Sequence, residues 1–304
     1  MAISRSQLVK ELEPGLNALF GLEYKRYENQ HAEIYTSESS DRAFEEEVML
    51  SGFANAQIKG EGQGVAFDEA QETYTARYTN ETIALAFAIT EEAIEDNLYD
   101  RLASRYTKAL ARSMSNAKEV KGAQPLNNGL PGVATFNSGD GVSLFNTAHT
   151  TISGTNVSNT LTTQADLNET SLEAALIDIA AFTDERGLRI AAKGVKMIIP
   201  SANQFNAERL MKSQGRTGTA DNDINAINSM GMIPQGYRVN NFLTDADSWY
   251  IITDVPNGMK MFQRTPLTTS MEGDFDTGNV RYKARERYVF GVSDYRGIFG
   301  CEGA

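Results

Sequence analysis

At 304 residues, 41% hydrophobic and 22% charged, the chain has the composition of a folded protein long enough for one large domain or two intertwined ones. A formal net charge of −12 and a pI near 4.8 argue against non-specific nucleic-acid binding, which depends on cations that neutralise phosphates. The longest apolar run, IALAFAI at 83–89, is too short to span a bilayer; MAISRSQ has no apolar core behind it, and the lone Cys301 can form no internal disulfide, so synthesis in a reducing cytoplasm is expected.

Residues 4–20 are predicted as a short amphipathic helix with Leu8, Leu12, Leu16, Leu19 and Phe20 on one side, broken or bent at Pro14 and docked on another element. Residues 41–82 read as a long hairpin around a glycine-rich turn at Gly60, Gly62 and Gly64. Eight carboxylates between 41 and 72 stand against only Arg42 and Lys59. Few of its apolar residues have a covering element in the sequence, so its packing partner is expected in another chain.

Ile83, Leu85, Phe87 and Ile89 alternate with Ala84, Ala86 and Ala88, a strand pattern. Thr90 then caps a helix predicted over 91–121, with Ile94, Leu98, Leu102, Tyr106, Leu110 and Met114 as its apolar ridge. Carboxylates crowd its start and cations its later turns, as the helix dipole favours. Gly122 and Pro125 are expected to end it. At about 1.5 Å per residue it would reach roughly 45 Å, beyond ordinary globular length.

Residues 123–165, rich in Gly, Asn, Ser and Thr, are expected to be loops with short strands. Thr170 and Glu173 make a capping box for a helix reaching Gly187, with Leu172, Leu176, Ile179 and Phe182 inward. VKMIIP at 195–200 is a buried strand, Ser201 caps a helix to about Met211, and 215–223 is a flexible loop. Strands follow at 237–241, 249–255 and 259–264, the last two joined through Pro256-Asn257-Gly258. Residues 281–300 form the closing strand. Helices and strands mix without a βαβ rhythm, so the fold class is α+β.

Catalytic chemistry has little to stand on. The two histidines, His31 and His149, lie in unrelated segments, and GEGQG lacks the lysine and hydroxyl of a phosphate-binding loop. No nucleophile elbow or dinucleotide fingerprint occurs, and neither a cofactor nor a metal site is expected. Two basic faces remain. RYKARERYVFGVSDYRGIFG sends Arg281, Lys283, Arg285 and Arg287 to one side of a strand, and Tyr282, Ala284, Glu286, Tyr288 and Phe290 to the other. Arg101, Arg105, Lys108 and Arg112 fall on one side of the long helix. The plain alternative for both is a solvated surface or pairing within the chain. Nucleic-acid recognition would want aromatics on the same face, and the strand's tyrosines point away. Pairing with acidic groups of a sister subunit explains both the local cations and the negative total.

The order of elements, from an N-terminal arm through an acidic glycine-tipped hairpin and one very long helix to a mixed block and a closing basic strand, resembles the HK97-fold major capsid proteins of tailed phages. LFNTAHTT at 144–151, WYIITDVPNGMKMFQRTP at 249–266 and the strand ending DYRGIFG are similar to the major head subunits of Mu-like phages. The resemblance implies an N-terminal arm at 1–40, an extended E-loop at 41–82, a peripheral domain with its spine helix at 83–129 and again at 265–304, and an axial domain at 130–264. It implies self-assembly as hexamers and pentamers into an icosahedral shell packaging double-stranded DNA without sequence-specific contact. The E-loop would lie across a neighbour, with Glu45, Glu46, Glu47, Lys59, Asp68 and Glu69 among the contacts and Arg281, Lys283, Arg285 and Arg287 facing them; the alternative for these cations is the lumen of the shell. One branch of the family forms a Lys–Asn isopeptide bond from this loop, most do not, and Lys59 is the only lysine the loop offers. Only about 40 residues precede the hairpin, which implies a separate scaffold or prior processing; a portal, with or without cement proteins, would complete a virion built in a bacterial cytoplasm, with no membrane involved. The alternative within the fold is an encapsulin-like compartment.

Overall fold

The computed structural model describes residues 5–90, 92, 99–133, 135–216, 223–274 and 278–304. The chain passes through α1 (Arg5–Tyr24), β1 (Thr36–Ser39), β2 (Phe44–Leu50), β3 (Glu72–Thr79), β4 (Glu81–Ile89) and α2 (Tyr99–Asn128). There follow β5 (His149–Thr150), β6 (Asn156–Val157), α3 (Glu169–Ala180), β7 (Gly194–Ile199), α4 (Gln204–Lys212) and α5 (Ala226–Met230). The last elements are β8 (Tyr237–Val239), β9 (Trp249–Thr253), β10 (Met259–Gly273), β11 (Val280–Val292) and β12 (Ile298–Cys301).

Alternation along β11 organises the first half of the molecule. Its even-numbered residues from Val280 to Phe290 are buried, while Arg281, Lys283 and Arg285 are exposed and Arg287 is half-buried. β11 sits between β10 and β4, antiparallel to both, in a sheet of order β1-β10-β11-β4. Leu16 and Phe20 of α1 and Ala103, Leu110, Ala111 and Met114 of α2 cluster with Tyr282, Ala284 and Ile89. Both helices therefore cover one face of the sheet, and the cations of β11 stand on the other.

Two helices run past their expected stops. α1 continues through Pro14, and α2 continues through Gly122 and Pro125 to Asn128. Gly122 serves close approach rather than a turn, since a Cβ there would lie 2.8 Å from the Cβ of His31. Tyr35 Oη also donates to the Gly122 carbonyl at 2.8 Å. Pro125 removes one backbone donor, but burial of Ala123, Leu126 and Leu130 holds the last turns in place. The buried stripe of α2 runs through Ala103, Thr107, Leu110, Ala111, Met114 and Ala123, whereas Tyr106 is exposed at its edge and leans on Phe87. Ile94 and Leu98 lie outside the described residues, as do the side chains of Leu8, Leu12 and Leu102.

The second sheet has the order β12-β9-β7-β8. Met197, Ile198, Ile199, Trp249, Tyr250, Ile251, Ile298 and Phe299 form its core with Leu172, Ala175, Leu176 and Ile179 of α3. Asn168, not Thr170, caps α3: its side chain accepts from Ser171 N–H while Ser171 Oγ reaches back. α3 stops at Ala180 because residues 182–190 turn back on themselves, with Asp184 N–H donating to Leu188 O at 2.8 Å and Gly187 at φ 83°. Phe182 is still buried. Ser201 opens a 3-10 turn ahead of α4 and makes no capping bond through its side chain. Residues 217–222 of the expected loop lie outside the described residues.

The two sheets share strands of the chain in an unexpected way. Pro256-Asn257-Gly258 closes no hairpin but carries the chain from β9 in the second sheet to β10 in the first. Gly258 passes so close to Gly297 that a Cβ would meet its Cα at 2.7 Å. The stretch at 281–300 likewise divides: β11 stays in the first sheet and β12 pairs with β9 in the second. The boundary expected at 264/265 falls inside β10, and the residues after Val292 rejoin the second sheet.

Candidate interaction surfaces

β2 and β3 pair antiparallel as a two-stranded ribbon apart from both sheets. Beyond it residues 51–71 form an arm that turns at Gly60–Gln63, with Gln63 N–H donating to Gly60 O at 3.2 Å and Gly62 at φ 79°. Phe53, Ile58, Val65 and Phe67 lie on this arm in solvent; Ile58 is 100% exposed and Phe67 98%. The arm is fastened at its root, where Tyr78 Oη donates to Ser293 Oγ, Ser293 Oγ to Glu47, and Lys260 Nζ to Glu47. A second fastening lies further out, where Arg186 stands 3.6 Å from Asp68 and donates to Glu69 O at 2.5 Å.

The carboxylates singled out on the hairpin are therefore unequal. Glu45 accepts from Ser40 Oγ at 2.8 Å, and this bond outweighs its slight desolvation to lower its pKa. Glu47 is held by Lys260 and Ser293, and Asp68 by Ala54 N–H at 2.7 Å and by Arg186. Glu46 faces Arg77 at a loose 3.8 Å, and the Glu69 side chain is exposed. Lys59 is exposed one residue before the tip turn.

On β11 the four cations form one column. Across the ladder, Arg281, Lys283, Arg285 and Arg287 stand opposite Ala88, Ala86, Ala84 and Thr82 of β4. On the other side they meet Glu272, Ser270, Thr268 and Thr265 of β10. Apart from Glu272 these neighbours are small, and they leave the long basic side chains standing above the sheet. Arg281 pairs with Asp274 at 2.5 Å. Lys283 and Arg285 make no ion pair among the described residues, and the Arg287 Nε is buried without a partner among them. On α2, Arg105, Lys108 and Arg112 are exposed, Arg112 being 3.6 Å from Glu23; the side chain of Arg101 lies outside the described residues.

The ionisable groups with the strongest local constraints are internal. Glu286, fully buried on the inward face of β11, meets Lys118 Nζ at 3.3 Å, and burial raises its carboxyl against that cation. His31 Nδ1 lies 2.6 Å from Glu119, and His149 Nδ1 2.5 Å from Asp140. Arg296 is enclosed by Glu185 at 2.6 Å and Asp294 at 3.3 Å. Sequence patterning places Glu286 inward, but nothing local signals partners at positions as remote as Lys118 or Glu185. A groove of about 490 Å³ at the root of the hairpin is lined by Arg77, Glu81, Lys121 and Asn128, and its Lys121 and Glu81 are paired. Among the described residues no three His, Cys, Asp or Glu side chains could hold a metal ion, and no helix is long and apolar enough to cross a membrane.

A two-sheet α+β body with a protruding hairpin and a long helix laid on one sheet is the HK97 capsid fold, and solved capsids match it over most of their length. The chain resembles the capsid of an empty GTA particle (12% identity, 91% of this chain and 90% of that one, TM-score 0.56) and the capsid of Myoviridae phage XM1 (12%, 89% of each, 0.51). It also resembles the procapsid of bacteriophage JBD30 (15%, 99% of this chain and 77% of that one, 0.52). No curated protein sequence matches. The profile of the family described as phage capsid protein matches residues 73–300, so the chain belongs to the phage capsid protein family. It is a major capsid protein of the virion shell, and the encapsulin alternative is not favoured.

Proposed function

We propose that copies of this chain assemble as hexamers and pentamers into an icosahedral shell around double-stranded DNA, each hairpin arm lying across the neighbouring subunit. The observation that carries this reading is the set of solvent-exposed apolar side chains on the arm, Phe53, Ile58, Val65 and Phe67. Exposed clusters of this kind mark interaction sites. Burying one such side chain is worth about 1.5–3 kcal/mol, against about 0–1 kcal/mol for an exposed ion pair. The arm's apolar residues therefore drive docking, and charge sets its register.

In this reading residues 41–82 are the E-loop, α2 is the spine of the peripheral domain and the second sheet belongs to the axial domain. The cation column of β11 receives a neighbour's arm. Glu46 and Glu69 are its best counterparts among the carboxylates singled out, because Glu45, Glu47 and Asp68 are engaged within their own subunit. Similarity of 144–151 and 249–266 to Mu-like head subunits supports membership of that branch. The role is structural rather than catalytic, and assembly takes place in a bacterial host with a scaffold and a portal as partners. Deletion of residues 57–66 tests the docking: the subunit should keep its circular dichroism and thermal melt yet assemble poorly. Loss of folding on that deletion contradicts it.

A further inference from the structure

The basic faces of the first sheet and of its helices point in opposite directions. Tyr282 and Ala284 of β11 are buried against the helices, which leaves Lys283 and Arg285 on the open side of the sheet. Ala103, Leu110, Ala111 and Met114 turn α2 inward, which leaves Arg105, Lys108 and Arg112 on the outer side of the helix layer. One molecule thus presents cations on both of its sides, and a single partner cannot cover both.

We infer that the exposed α2 stripe, Arg105, Lys108 and Arg112, is the contact surface for the phosphate backbone of double-stranded DNA, a step that rests on the reading of the chain as a DNA-enclosing shell. Residues 103–128 contain a single carboxylate, Glu119, and it is buried and bound by His31. In a chain of net charge −12 this leaves the described part of the helix surface, from Ala103 onward, with cations and no exposed acid. The three cations recur at i, i+3 and i+7, a stripe of about 10 Å on one side of a helix. Arg105 and Lys108 have no ion pair among the described residues, while Arg112 is shared with Glu23.

Protein docking needs a buried apolar anchor. Here the exposed neighbours of the cations are Ala109, Ser113 and Asn116; of the exposed apolar groups on the helix, Tyr106 already leans on Phe87 and Val120 lies two turns beyond Arg112. Phosphate binding needs only charge and carries no sequence information. The acidic remainder of the subunit keeps the contact weak, which suits a wall that holds DNA in register and still releases it.

The test measures binding of a labelled random-sequence 30-base-pair duplex to the purified subunit at several low salt concentrations, with particle formation followed by electron microscopy. R105Q/K108Q should weaken binding and reduce the slope of log affinity against log salt by about two, while K283Q/R285Q leaves both unchanged. The inference is overturned if wild type binds no duplex, if only K283Q/R285Q loses binding, or if polyglutamate competes as well as unlabelled duplex, which would mark a docking face for an acidic protein. Absence of shells from wild-type protein, with the duplex results as expected, removes the shell reading and leaves the helix face assigned.

Discussion

His149 has no solvent exposure, and its ring lies stacked on Tyr295 at 3.8 Å. Its Nδ1 faces Asp140, and its Nε2 lies 3.1 Å from Asn159 Oδ1, whose amide group is turned by bonds to Leu144 O and Tyr295 O. Burial pushes the Asp140 carboxyl up, but hydrogen bonds from His149 and Ser138 outweigh it and hold its pKa below the usual 3.8. A carboxylate lowered in the folded state stabilises above its unfolded pKa, and that contribution is lost as pH falls through the folded one. Asp140→Asn should therefore lower the melting temperature at neutral pH, with the gap to wild type closing well below pH 3.8. A gap that is unchanged in acid contradicts the pairing. Glu286 runs the other way: burial raises its pKa, so its ionisation reduces stability as pH rises, offset in part by Lys118. The sequence pattern reveals that Glu286 points inward. It does not reveal Lys118, because a pair 168 positions apart leaves no local trace.

At the level of elements, the strands with clean alternation are the ones legible in advance. β4 and β11 lie where period-two patterning predicts them; one face of β11 is buried under the helices, whereas on β4 Ile89 is buried, Ile83 and Phe87 are half-buried and Leu85 stays exposed. α2 is legible as a long helix but not in its end. Gly122 and Pro125 carry the local signals of a stop, and tertiary packing overrides both. This yields a test against ordinary helix propensity, which makes Gly→Ala in a helix interior stabilising by about 0.5–1 kcal/mol. Gly122→Ala should instead lower the melting temperature, because the new methyl meets the Cβ of His31 at 2.8 Å. A stabilised variant would show that α2 does not approach the His31 turn this closely. The arm shows the limit in another form. Its glycine tip and its want of a covering element are visible in sequence, but which carboxylates are spent within the subunit depends on Lys260, Ser293 and Arg186, far away in the chain.

At the scale of the whole molecule, class and order of elements follow from the sequence, while the division between sheets does not. The chain crosses from β9 to β10 and from β11 to β12, and both crossings rest on the backbone contact of Gly258 with Gly297, a long-range fit rather than a local pattern. The candidate interface is legible in the same partial way: the cation column is read directly from residues 281–287, its partners are not. Reversing charge at Arg285 and Arg287 should weaken subunit association without unfolding the subunit. Glu69→Lys or Glu46→Lys should restore part of it, and Glu47→Lys should not, since that carboxylate already serves Lys260 and Ser293. Equal rescue by all three would show that the effect is one of net charge rather than of pairing.

The central claim is that this chain closes a shell with copies of itself, and electron microscopy of the purified wild-type protein, with its scaffold present, tests it most directly. The account predicts closed isometric particles built of hexamers and pentamers, with each arm resting on the sheet of its neighbour. A protein that stays monomeric under every assembly condition, with the arm free in solution, would contradict it.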